Sequence, residues 1–242
     1  MTKAVGHCQW YGITCETEGF VTGIDLQDNN LVGNFPVYTH KLDASHGKSF
    51  GNWKYTKYGL AQLHRLETLD LADNELTGTI DYAPLYNLLS LTHFDVSGNL
   101  LRGGIDALIS PSLKYADFSN NGFTSMRRFQ MYKGIFLLYC DVSNNAIVEN
   151  ATDLLANIPP NTNIEQFIAS SNQIYGNLPA SLDNLPKLRQ FNMASNALSG
   201  DLPVFTESIL SLQELDVLSK QLVSQDHFQE TFGDSNLSRY SV

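Results

Sequence analysis

One frame recurs eight times along this 242-residue chain: apolar, two variable positions, apolar, one variable, apolar, two variable, asparagine, one variable, apolar. It first reads Val21, Ile24, Leu26, Asn29, Leu31, and next Leu66, Leu69, Leu71, Asn74, Leu76. Later copies begin at Leu91, Leu113, Leu137, Ile164, Leu188 and Leu212, so successive starts lie 45, 25, 22, 24, 27, 24 and 24 residues apart. A unit of this size cannot bury its apolar face alone and must stack on its neighbours. One elongated solenoid with a continuous core is therefore expected, although length alone would allow one or two globular domains.

Within each unit the apolar-x-apolar centre reads as a short strand, such as Thr68-Leu69-Asp70-Leu71, with Leu69 and Leu71 inward and Asp70 outward. The spacing is that of leucine-rich repeats. The expected class is α/β: a leucine-rich repeat solenoid, a right-handed superhelix with a parallel β-sheet on the concave face and a mostly irregular or 3-10 convex side. Residues 1–20 form an N-terminal cap with a cysteine pair, 21–222 hold eight repeats with an insert at about 37–57, and 223–242 form a tail. The column Asn29, Asn74, Asn99, Asn121, Asn145, Asn172 and Asn196 lies where the chain turns inward. An amide there offers donors and an acceptor to backbone groups the turn leaves unpaired, so the column reads as scaffold. Lys220 replaces asparagine in the last unit, which suits an atypical terminal repeat. Gly33, Gly78, Gly103, Gly176 and Gly200 give backbone freedom on the returning side.

Charge and motifs narrow the function. A net charge of −10 argues against nucleic acid, whose phosphates would be repelled. The longest apolar run, about Ile135 to Cys140, is far shorter than a membrane span, and the first residues lack the apolar core of a secretory signal. Gly47-Lys48-Ser49 imitates the end of a nucleotide-binding loop, but Leu42 stands where its first glycine belongs. The six histidines show no i, i+4 pair, and no Ser, His and Asp set assembles, so no cofactor, no metal and no catalysis are expected. Cys140 occupies an inward position and reads as a buried free thiol. Cys8 and Cys15 could be a disulfide, part of a metal site or two separate thiols; without further ligands zinc is disfavoured.

The stretch Cys8-x-Trp10-x-Gly12-Ile13-Thr14-Cys15, running into Val21-x-x-Ile24-x-Leu26, resembles the N-terminal cap of plant-type extracellular leucine-rich repeat proteins. These are the ectodomains of receptor-like kinases and receptor-like proteins, and the polygalacturonase inhibitors. Leu31-x-Gly33-x-Phe35-Pro36, Ile174-x-Gly176-x-Leu178-Pro179 and Leu198-x-Gly200-x-Leu202-Pro203 resemble the same family's extended repeat segment. The resemblance covers roughly residues 8 to 222 and implies a disulfide between Cys8 and Cys15. It implies a non-catalytic, receptor-like recognition module that binds a peptide, glycan or protein on its concave face. The alternatives are a soluble inhibitor of a secreted hydrolase and a structural or adhesive fragment. The implied location is extracellular or the outer face of the plasma membrane. Only seven residues precede Cys8, no cysteine cap closes the other end, and no kinase motif follows, so the chain looks like part of a longer protein. Any membrane attachment would come through segments absent from it.

Two surfaces are candidate binding sites. The outward column Asp25, Asp70, Asp95, Asp117, Asp141, Ile168, Asn192, Asp216 stacks carboxylates that repel by about 0.8 kcal/mol per pair at ~5 Å in bulk water. It reads either as a docking stripe for a basic peptide or cation, or, more simply, as the consensus of the resembled family. Calcium would need several oxygens converging on one ion, which a linear column does not offer. Just before the column, His93, Tyr115 and Tyr139 fall side by side in consecutive units. With Asp95, Asp117 and Asp141 they form either the centre of a partner site or an aromatic ladder that only stabilises the sheet. The second surface is the 37–57 insert, with Lys41, Lys48, Lys54 and Lys57 against Asp43, and Trp53 and Tyr55 as anchors. It is either a partner site or a flap over the solenoid flank. Asn150 and Asn236 head glycosylation sequons, usable on secretion.

Overall fold

The computed structural model describes residues 6–35, 59–82, 85–105, 110–126, 136–156, 162–180, 185–202, 211–219, 221–223 and 239–241. The 37–57 insert with Trp53 and Tyr55, the Asn236 sequon and Lys220 lie outside the described residues.

The strands, in chain order, are β1 (Ile13–Cys15), β2 (Val21–Asp25), β3 (Val32–Asn34), β4 (Thr68–Asp70), β5 (Glu75–Gly78), β6 (His93–Asp95), β7 (Leu100–Gly104), β8 (Tyr115–Asp117), β9 (Gly122–Ser125), β10 (Tyr139–Asp141), β11 (Gln166–Ile168), β12 (Tyr175–Gly176), β13 (Gln190–Asn192), β14 (Ala197–Asp201), β15 (Glu214–Asp216), β16 (Gln221–Val223) and β17 (Arg239–Ser241). Ten of them form the main sheet in the order β1-β2-β4-β6-β8-β10-β11-β13-β15-β17. All its pairings are parallel except β1 against β2. The fold is the expected leucine-rich repeat solenoid, one strand per repeat on the concave face. Within the stretch expected to be a tail, Arg239–Ser241 adds a further parallel strand beside β15.

Register follows from the frame. Each inward residue pairs with its equivalent, giving the spine Leu69, Phe94, Ala116, Cys140, Phe167, Phe191, Leu215, none more than 1% exposed. Ala116 is small, and Phe94 and Phe118 meet beside it with ring centroids 5.6 Å apart. Burying each Leu or Phe side chain stabilises by about 1.5–3 kcal/mol. Cys140 is a free, fully buried thiol in this spine.

The asparagine column is a hydrogen-bond ladder between units. Asn99 Oδ1 accepts from Leu76 N (2.9 Å), and its Nδ2 donates to Leu71 O, Val96 O and Ser97 O. Asn121, Asn145, Asn172 and Asn196 repeat this pattern one unit further on each time. The residue before the asparagine is left-handed in most units, at Asp28, Asp73, Asn120, Asn144, Ser171 and Ser195, residue types that tolerate this conformation or bond locally there.

The convex flank holds more order than the irregular side anticipated from sequence. The segments that follow the asparagine column form two further sheets, β3-β5-β7-β9 and β12-β14-β16. They are interrupted at the fifth repeat. There Asn150 bridges to Tyr175 and caps α1 (Ala151–Ala156), its Oδ1 accepting from Thr152 N and Asp153 N.

The cap is closed by a Cys8–Cys15 disulfide with Cα atoms 5.6 Å apart. Gly12, with φ +72°, accepts from Asp25 N on its carbonyl at 2.7 Å, and an added Cβ would lie 2.0 Å from Asp25 O, so only glycine fits. Arg65, immediately before the second repeat, bonds Glu16 and Glu18 and lies 4.3 Å over the Phe20 ring, tying the cap to the array.

Candidate functional site

Alternation along each strand points two residues of every unit at the concave face, one on either side of the inward spine residue. The first row reads Thr68, His93, Tyr115, Tyr139, Gln166, Gln190 and Glu214, set by pairwise register. The second reads Asp25, Asp70, Asp95, Asp117, Asp141, Ile168, Asn192, Asp216 and Ser241.

His93, Tyr115 and Tyr139 come together as a continuous stack. The His93 and Tyr115 rings have centroids 4.2 Å apart and planes 9° apart, and Tyr115 and Tyr139 are at 4.4 Å and 3°. Both faces of Tyr115 are covered by its neighbours. The stack offers the groove ring edges and hydroxyls, with outer faces only on His93 and Tyr139.

Beneath the hydroxyls run the carboxylates. Tyr115 donates to Asp117 Oδ2 at 3.3 Å, and the Tyr139 hydroxyl is shared between Asp117 Oδ2 at 3.4 Å and Asp141 Oδ2 at 3.3 Å. The other oxygens serve the backbone: Asp95, Asp117 and Asp141 each accept the N–H two residues on, from Ser97, Ser119 and Ser143. Asp70, Asn192 and Asp216 do the same. The column thus closes the turn after each strand, and Asp95, Asp117 and Asp141 are only 7–9% exposed. They face the concave side, as alternation requires, but they anchor the tyrosines and the turn more than they project into the groove.

Burial sets the titration. Desolvation lifts Asp95 to about 6 against the opposing hydrogen bonds from Ser97, with Asp117 and Asp70 pushing the same way. Asp141 is raised for the same leading reason. Burial lowers His93 although Asp70, Asp117 and Asp25 oppose it, so the imidazole favours its neutral form. Both tyrosine hydroxyls are raised, first by desolvation and then by the adjacent carboxylates, and stay protonated donors.

Six of the eight residues singled out as a partner site lie on this surface: His93, Tyr115, Tyr139, Asp95, Asp117 and Asp141. Trp53 and Tyr55 lie outside the described residues. Sequence reasoning did not connect Asp70 with His93, one repeat away. The register brings one ligand atom from each of Asp70, His93 and Asp95 within 4.8 Å of one another. The signal lay in combining the repeat period with the alternation: Asp70 pairs with Asp95 across the strands, and His93 precedes Asp95 by two on the same face.

Comparison with known proteins agrees with this architecture. A family model described as Leucine Rich Repeat matches residues 65–85. The chain is 26% identical over 153 residues to the Arabidopsis thaliana serine/threonine-protein kinase BRI1-like 1, an alignment covering 49% of this chain and 13% of that protein. It is 31% identical over 103 residues to the Arabidopsis thaliana receptor-like protein kinase 7, covering 43% of this chain and 8% of that protein. The chain therefore spans only a small part of these relatives' length. Among solved structures it superposes on the leucine-rich repeat ectodomain of the Arabidopsis receptor kinase HAESA, crystallised with an extended IDA peptide hormone. That match has a TM-score of 0.74 at 21% identity and covers 98% of this chain and 36% of that one. The chain is similar in sequence to plant receptor-like kinases and shares the fold of a plant receptor ectodomain.

Proposed function

We propose that this chain is a non-catalytic, receptor-like recognition module whose concave face binds a peptide or protein ligand around His93, Tyr115 and Tyr139. The observation that carries this reading is the three-ring stack on a mostly polar sheet face. Tyrosine offers large contact area at low conformational-entropy cost, and rings already held by their neighbours lose little further freedom on binding. The geometry favours a peptide or protein over a glycan. Sugars dock on ring faces, and the central ring has none free; edges and hydroxyls suit an extended main chain and its side chains. The Asp117 and Asp141 carboxylates hold the hydroxyls in place and favour a ligand without negative charge at that point. The likeness of fold to an ectodomain crystallised with a peptide hormone supports the same class of ligand.

An extracellular setting, or the outer face of the plasma membrane, fits the Cys8–Cys15 bridge, since disulfides persist in oxidising compartments. There Asn150 would also be open to glycosylation, in addition to capping α1. The 37–57 insert, with Trp53 and Tyr55, is proposed as a second contact region.

The test is selection of a displayed library of random linear peptides on the disulfide-bonded protein, followed by hydrogen-exchange footprinting. The reading expects enriched peptides that protect β6, β8 and β10. Protection confined to the convex flank would refute it.

A further inference from the structure

The Asp70–His93–Asp95 cluster does not belong to the tyrosine–carboxylate pattern of the neighbouring strands. On β8 and β10 the ring residue carries a hydroxyl that donates to Asp117 or Asp141. On β6 that row is occupied by His93, which has no such hydroxyl. Asp95 receives Ser97 N and Ser97 Oγ on Oδ1, and Asp70 receives Ala72 N on Oδ1. Among the described residues neither Oδ2 has a hydrogen-bond donor. Two carboxylates facing each other across adjacent parallel strands therefore lack the neutralising contact their neighbours have, and like charges so placed are destabilising.

We propose that Asp70, His93 and Asp95 form a binding site for one divalent transition-metal ion of the zinc type, where the aromatic row meets the N-terminal repeats. One imidazole nitrogen and two carboxylate oxygens are the donor set that zinc accepts at about 2.0–2.2 Å. Such an ion needs its ligand atoms about 3.4 Å apart. The three atoms already lie within 4.8 Å, so small side-chain rotations close the remaining distance. His93 is held by its stack on Tyr115, which fixes the ring plane in advance. Three protein donors leave a coordination position open toward the groove. Calcium fits poorly, because it takes six or more oxygens and no nitrogen is needed. Among the described residues the other cluster of metal-ligating types, His7 with Cys8 and Cys15, is closed to metal because the two sulfurs are bonded to each other.

The site is tested on the full, tag-free, disulfide-bonded chain by calorimetric titration with zinc chloride, and by absorption spectroscopy with cobalt(II). The expected result is saturable binding of one ion per chain and a cobalt ligand-field band. His93→Ala and the milder Asp70→Asn should each weaken binding about 10-fold or more, whereas His64→Ala, at an exposed position, should leave it unchanged. Thermal unfolding of each variant without metal separates loss of ligand from loss of fold. Absence of saturable zinc binding, equal binding by Asp70→Asn and the native chain, or competition by calcium at equal concentration would overturn the proposal. No peptide is present in this titration, so its failure leaves the recognition reading untouched, and the converse also holds.

Discussion

Tyr139 lies flat against Tyr115, with ring centroids 4.4 Å apart and planes 3° apart, and its hydroxyl reaches Asp117 on the neighbouring strand as well as Asp141 on its own. One side chain thereby ties two repeats together on the concave surface, outside the buried spine. Stacking and hydrogen bonding make separable contributions. Tyr139→Phe keeps the ring and loses only two long, shared bonds, so it should cost less than about 1 kcal/mol. Tyr139→Ala removes the stack as well, and should cost about 1–2 kcal/mol. Denaturant unfolding of the two variants measures the difference.

The asparagine ladder makes a sharper contrast. Asn99 is 5% exposed and serves Leu76 N, Leu71 O, Val96 O and Ser97 O. Asn99→Ala strands a buried N–H and buried carbonyls, with an expected loss of about 2–4 kcal/mol. Asn29 heads the same column, but its side chain donates only to Gln27 O, at a half-exposed site. Asn29→Ala should cost less than about 1 kcal/mol. Equal losses at the two positions would show that the ladder does not carry the difference.

Opening the Cys8–Cys15 bridge should act locally. Closing so short a loop restricts the unfolded chain by about 2–3 kcal/mol. Because each unit contacts only its neighbours, the double Cys→Ser variant should speed amide exchange in β1 and β2 and leave β10 unchanged.

Titration of Asp95 gives a pH signature. Its folded value of about 6 stands above the ordinary carboxylate value, so the fold binds this proton more tightly than the unfolded chain does. Its contribution is fully present below about pH 4 and is lost as pH rises through about 6. His93 works against it: its value is lowered in the fold, so the stability it contributes is present above its unfolded value and is lost as pH falls. In Asp95→Asn the Asp95 part disappears, and stability between pH 4 and pH 7 should fall less with rising pH, by about 1–2 kcal/mol after allowance for solvent screening. Chemical unfolding at a series of pH values reads it directly.

The sequence reveals some of these features and hides others for identifiable reasons. The inward positions of Leu69, Phe94 and Cys140 follow from a period and an alternation, both local properties of the chain. That Tyr115 and Tyr139 are neighbours follows from the same count. Their coplanarity does not, nor does the sharing of the Tyr139 hydroxyl, because both depend on rotamers set across two strands. The asparagines declare themselves by type, but the partner of each lies about one repeat away, as Leu76 does from Asn99. The flank sheets escaped notice because Gly78 and Gly103 suggest a turn, while the pairing of β5 with β7 shows only once the units are stacked. Asp70 and His93 share no spacing that marks a metal site, since the repeat length alone brings them together.

Recognition through the aromatic row stands or falls on one affinity ratio. A peptide selected on the native chain is titrated calorimetrically against that chain, against Tyr115→Ala/Tyr139→Ala, and against Leu100→Ala on the exposed flank as a control. The double variant should lose about 10-fold or more in affinity with its fold retained, and the control should not change. Equal affinity for the native chain and the folded double variant would contradict recognition through this row.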